Sequence, residues 1–173
     1  MSTENVFIQI PTSSIEENRF NWTYDREPTA ATTARSYVTS YLGSPGSWNF
    51  LGMTGTDEEG DVHGYLFSIY QTGDLIEQTF TLEDGLFMRF FKSHKVGNAY
   101  GRLFISPDSA ELALRLDPTT GIALGDYKAL FRSEPEARLA PSGTFKLNLY
   151  GYESLQKESS EEIYKLHAEL LWK

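Results

Sequence analysis

Cysteine is absent from the 173 residues, which removes disulfide frameworks, thiolate metal sites and cysteine nucleophiles together. Histidine is almost as scarce. His63, His94 and His167 are the three, far apart and without an H-x-H or H-E-x-x-H pairing, so no metal site is expected. Basic side chains number 15 against 24 acidic ones, a net charge of −9, and the phosphate attraction that nucleic acid or an anionic membrane surface requires is missing. No apolar run approaches the roughly 18 residues of a membrane span, and Met1 to Gln9 lacks the basic-then-apolar order of a secretory leader. The expectation is a cytoplasmic protein with neither nucleic acid nor membrane as partner. No Gly/Ser/Pro linker interrupts the chain, so one domain over residues 1–173 is expected.

Aromatic residues are what the chain has in abundance, with 11 Phe, 10 Tyr and 3 Trp making 14% of it. That content excludes a disordered acidic tail and supplies a large core. From Trp48 onward the apolar residues fall into short runs divided by turn signals: Trp48 to Met53, Val62 to Gln71, Leu75 to Leu82, Leu86 to Phe91, Ala99 to Ser106, Glu111 to Leu116, Ile122 to Arg132 and Thr144 to Tyr150. Such spacing predicts an all-β fold. The separators Thr72-Gly73-Asp74, Glu83-Asp84-Gly85, Val96-Gly97-Asn98, Pro107-Asp108-Ser109 and Asp117 to Gly121 suit antiparallel hairpins and are too short for crossover helices. Eight such runs suffice for a single antiparallel β-barrel.

Residues 1–47 read as an extension. Val6, Ile8 and Ile10 alternate ahead of Pro11, predicting a strand. Ala30, Ala34, Tyr37, Val38, Tyr41 and Leu42 recur at spacings of three and four, predicting a short helix that acts as a lid on the barrel. At the C-terminus Ile163, Leu166 and Leu170 fit a helix that Ser160 would start, whereas Tyr164, Leu166, Ala168, Leu170 and Trp172 alternate as a strand. The all-β context favours the strand.

Candidate chemistry is sparse. Asp57-Glu58-Glu59-Gly60-Asp61 lacks the alternating ligands and distal glutamate of a calcium loop and reads as a solvated hairpin tip. Gly43 to Ser47 lacks the lysine and helix of a phosphate loop. The strands themselves are unusual, because Val62 to Gln71 and Leu86 to Phe91 are apolar on both faces, where a one-sided sheet would alternate apolar and polar. Either the interior is filled and the outside is covered by the helix or a second subunit, or the lumen receives a hydrophobic ligand. Trp48, Tyr65, Phe67, Gln78, Phe80, Met88, Phe90 and Tyr127 are the candidate lining.

Residues 116 to 132, Leu-Asp-Pro-Thr-Thr-Gly-Ile-Ala-Leu-Gly-Asp-Tyr-Lys-Ala-Leu-Phe-Arg, and residues 143 to 151, Gly-Thr-Phe-Lys-Leu-Asn-Leu-Tyr-Gly, resemble the turn and late aromatic strand of the allene oxide cyclase-like, calycin-like barrels. Asp57 to Leu82 and Thr79 to Gly85 are similar to that group's acidic hairpin and following turn. Within it, Ile8-Gln9-Ile10-Pro11-Thr12 resembles the N-terminal stretch of bacterial spirotetronate and spirotetramate Diels-Alderases. The resemblance implies a cofactor-independent [4+2] cyclase that closes a linear polyene polyketide with a tetronate or tetramate head in antibiotic biosynthesis. Its lumen would be the active site. A hydrogen bond from Tyr65, Gln78 or Tyr127 would polarise the dienophile carbonyl, while Trp48, Phe67, Phe80, Met88 and Phe90 would bind the hydrocarbon. No metal or cofactor is called for. Gly46-Ser47-Trp48 matches the G-x-W start of lipocalins and keeps a non-catalytic carrier as the alternative. A packed barrel that forms a homodimer through its apolar exterior is a third reading.

Overall fold

Each of the eight runs from Trp48 onward forms a strand, and three further strands precede them. The computed structural model describes residues 18–24, 27–39, 46–132 and 140–149 and, among them, holds no helix. The strands are β1 (Arg19–Tyr24), β2 (Glu27–Ala30), β3 (Thr33–Thr39), β4 (Ser47–Thr54), β5 (His63–Tyr70), β6 (Ile76–Thr81), β7 (Phe87–Val96), β8 (Ala99–Ile105), β9 (Ser109–Asp117), β10 (Ile122–Leu130) and β11 (Ser142–Asn148). They make two sheets, a first in the order β2-β1-β11-β10-β9-β6 and a second in the order β3-β4-β5-β7-β8. All pairings are antiparallel. The predicted strand at Val6 to Ile10 and the C-terminal segment lie outside the described residues.

Antiparallel β architecture is as the sequence predicts; closure into a barrel is not seen, since neither sheet returns on itself. The turns explain the difference. Val96-Gly97-Asn98 and Asp117 to Gly121 are true hairpins, joining β7 to β8 and β9 to β10. By contrast, Thr72 to Asp74, Glu83 to Gly85 and Pro107 to Ser109 carry the chain from one sheet to the other, so β6 leaves the second sheet between β5 and β7 and pairs with β9. Tight-turn residues set local backbone direction, and that direction serves a sheet crossing as well as a hairpin.

The predicted helical lid is also not seen among the described residues, because Ala30 ends β2 and Thr33 to Thr39 is β3, paired along its length with β4, while Tyr41 and Leu42 lie outside the described residues. Ala34 and Val38 pack on the core between the sheets, whereas Tyr37 belongs to a separate cluster on the opposite face of the second sheet. Apolar groups on both faces of one strand mimic the three-and-four spacing of a helix stripe. The misreading follows from that coincidence.

Strand alternation produces the main core. In β9 every second residue, Ala110, Leu112, Leu114 and Leu116, is buried, and in β10 Ala123, Tyr127 and Ala129 follow suit. From the second sheet come Trp48, Phe50, Tyr65, Phe67, Ile69 and Met88. Full burial of each such side chain stabilises the fold by about 1.5–3 kcal/mol before entropy is charged against it. A polar seam ties the sheets at one side. The Ser36 hydroxyl donates to the Asn148 carbonyl at 2.6 Å, Asn18 Nδ2 donates to the Ala34 carbonyl at 2.9 Å, and the Asn148 backbone N–H donates to Asn18 Oδ1 at 2.8 Å. First and last described strands therefore meet beside β3.

Candidate functional site

Between the sheets the aromatic side chains form one continuous cluster. Phe67 and Tyr127 approach with ring centroids 4.6 Å apart, Tyr65 and Tyr127 are 5.9 Å apart, Phe20 lies 5.8 Å from Tyr127, and Trp22 meets Tyr65 edge-on at 5.4 Å. Phe90 extends the cluster from Tyr65 at 5.4 Å toward Phe131. One layer along, Phe50 and Phe145 stack across the two sheets at 5.1 Å.

Inward-facing glycines make the room for these rings. A methyl group at Gly52 would overlap the Phe20 ring, and one at Gly125 would overlap the Phe145 ring that lies over it. At Gly143 an added Cβ would stand 2.8 Å from the Tyr127 hydroxyl and would also collide with the Asn21 carbonyl. Each glycine faces a large aromatic, so total volume is conserved across the pair.

Two polar atoms in this interior have no hydrogen-bond partner: the Tyr127 hydroxyl and the Trp48 indole N–H, on side chains that are each 1% exposed. Burial, with Tyr65 adding a smaller effect, pushes the Tyr127 hydroxyl far above the ordinary phenol range. It is therefore a neutral donor at every working pH. A buried donor without an acceptor costs about 1–3 kcal/mol, and an apolar enclosure with a few convergent polar groups is the usual chemistry of a small-molecule site. Tyr127 can donate one hydrogen bond to a carbonyl; it cannot act as a base.

Of the eight lining residues read from the sequence, Trp48, Tyr65, Phe67, Met88 and Tyr127 are buried in the main core, and Phe80 and Phe90 are partly buried against it. Gln78 is not among them. It stands exposed on β6, an edge strand, and borders an open depression of about 410 Å³ on the first sheet with Glu77, Ala113, Arg115, Leu124 and Asp126. The structure thus brings Tyr65 and Tyr127 together and leaves Gln78 apart. Sequence reasoning missed Phe20 and Trp22, both in the core, and Phe131 and Phe145 beside them. The signal was present in Arg19 to Tyr24, where Phe20, Trp22 and Tyr24 alternate with Arg19, Asn21 and Thr23.

The acidic stretch is a turn held by its own side chains. Asp61 Oδ1 accepts from the Thr56 backbone N–H at 2.7 Å, Asp57 pairs with Arg102 at 2.7 Å, and the glycine at position 60 makes way for the Tyr100 ring. The β4–β5 turn is thereby pinned to the β7–β8 hairpin. Comparison with protein-family models, with curated proteins and with solved structures finds no match to this chain.

Proposed function

We propose that the interior around Tyr65 and Tyr127 receives a small hydrophobic ligand bearing a carbonyl, and that the protein is a cofactor-independent cyclase closing a linear polyene by intramolecular [4+2] addition. The single observation that carries this reading is the Tyr127 hydroxyl, a buried neutral donor without an acceptor among aromatic walls. A tetronate or tetramate head would present the missing acceptor, and the hydrogen bond would strengthen as electron density shifts onto that oxygen. Trp48, Phe67, Met88 and Phe90 would hold diene and dienophile in a reactive fold, a source of up to about 7–11 kcal/mol in the best oriented reactions. Entry requires the two sheets or their bordering turns to part, since these side chains pack closely. The test is incubation of the protein with such a polyene, followed by mass and diene absorbance. A product of identical mass that has lost conjugation, formed faster than in buffer, supports the cyclase; tight binding of unchanged polyene refutes it.

That second outcome describes a carrier, which one observation favours. Apart from the tyrosine hydroxyls and the Trp48 N–H, the buried polar side chains among the described residues are Ser36 and Asn49. Ser36 is committed to the Asn148 carbonyl, and Asn49 to Tyr37, Thr39, Ser47 and Ser68. A carrier needs no more than apolar walls and one donor.

A further inference from the structure

Trp48 carries the second interior donor that lacks an acceptor, its indole N–H, on a side chain 1% exposed. The cross-strand neighbours of Trp48 are Val38 and Ile69, and both belong to the main core with no polar side-chain atom to offer. A hydroxyl can rotate toward an acceptor, but an indole N–H is a donor fixed in direction by its ring. Whatever satisfies it must come to it.

Strand register gives the separation of the two unpaired donors. Along β4 and β5, Gly52 faces Tyr65, Phe50 faces Phe67 and Trp48 faces Ile69. The Tyr127 ring lies against Phe67 and Tyr65, nearer the former. Trp48 therefore stands two to three residues farther along the strands, a distance of about 7–10 Å. Phe50 and Phe67, along that interval, are fully buried hydrocarbon.

We propose that Trp48 is a specificity-determining residue of the interior site, donating its Nε1–H to a second oxygen of the ligand, so that the molecule taken up is elongated and carries a hydrogen-bond acceptor near each end. The proposal rests on the reading that Tyr127 binds a carbonyl, and adds to it a length and a second polar group. Tyr127 holds one oxygen, Phe50 and Phe67 line the hydrocarbon between, and Trp48 holds the other. In the free protein the indole N–H is already out of water and unpaired, so the bond it makes to a ligand replaces no bond to water on the protein side. A site with such a donor discriminates against an analogue that lacks the matching acceptor, because the donor then stays unpaired.

The test titrates the full chain with two esters of equal chain length: methyl octanoate, with one carbonyl, and dimethyl suberate, with one at each end. The diester is the more water-soluble, so apolar burial alone ranks it second. It should nevertheless bind about tenfold more tightly, the equivalent of one hydrogen bond. In the isotope-labelled chain the Trp48 indole proton resonance, assigned through Val38 and Ile69, should move downfield with the diester only. Trp48→Phe should bring the two affinities to within about twofold of each other, while Tyr127→Phe weakens both; the indole resonance of the parent chain gives the answer independently if Trp48→Phe fails to fold. Equal affinities for the two esters, or an indole resonance that the diester leaves in place, overturn the role of Trp48 while the carbonyl site at Tyr127 stands. Binding of neither ester overturns that site and this proposal together.

Discussion

Replacing Tyr127 with Phe should make the protein more stable, which is the opposite of the usual result for a buried tyrosine. The Tyr127 ring packs against those of Phe20, Phe67 and Tyr65, and its buried hydroxyl has no acceptor within hydrogen-bonding distance. Removing it deletes a desolvated polar atom, and the expected gain is about 1–2 kcal/mol, within the cost of an unsatisfied buried group. Only one oxygen leaves, so the cavity term that accompanies larger truncations stays small. In urea, with a slope of roughly 1–3 kcal/mol per molar, the midpoint should rise by about 0.5–1 M. The slope itself should not change, because Phe fills the same space. Binding of a carbonyl-bearing ligand should weaken in the same variant, by about tenfold for one lost hydrogen bond to a neutral group. A midpoint lowered by a comparable amount would refute the reasoning, since it would mean that the hydroxyl is satisfied in the folded protein.

Further outcomes follow from the packing and the seams. Gly52→Ala should destabilise by about 1–3 kcal/mol in the same urea assay, because the methyl group displaces the Phe20 ring, and Gly52→Ala combined with Phe20→Leu should cost less than the sum of the two. Asn18→Ala removes the bonds to Ala34 and Asn148 and should cost about 1–3 kcal/mol, with the extra amide exchange confined to β1, β3 and β11. Asp117 accepts the Thr119 backbone N–H at 2.8 Å in the β9–β10 turn, and that bond holds its carboxyl below the ordinary value of 3.8. A depressed folded pKa gives stability that is present above 3.8 and is lost as pH falls through the folded value. Asp117→Ala should therefore lower the thermal midpoint at neutral pH, and the difference from the parent should vanish in strong acid. A gap that persists there would assign the effect to the turn backbone.

Strand identity was legible because it is local. Each run from Trp48 onward alternates or carries β-branched and aromatic residues between turn signals, and a pleated backbone needs nothing else to sort its side chains into two faces. The interior positions of Trp48, Tyr65, Phe67, Met88 and Tyr127 were legible for the same reason, although register set Gln78 on an exposed edge despite its sharing a face with Ile76. β1 was written as plainly in Phe20 and Trp22, hidden only by its polar neighbours.

Partnership between strands is a property of the folded chain. Thr72-Gly73-Asp74 and Val96-Gly97-Asn98 look alike as turn signals in the sequence, yet the first crosses between sheets while the second closes a hairpin with Gly97 at a φ of 61°. What separates them is which face finds a facing layer. β3 shows this directly: Ala34 and Val38 meet the core, Tyr37 meets the outer cluster, and a strand with two apolar faces copies the period of a helix. Composition and alternation by themselves determined an all-β chain with an aromatic interior. The tertiary structure alone decided that two sheets face each other in place of a closed barrel, and that Tyr127 stands among rings with nothing to bond, because long-range pairing and packing are chosen by the whole surface being buried and not by any one segment.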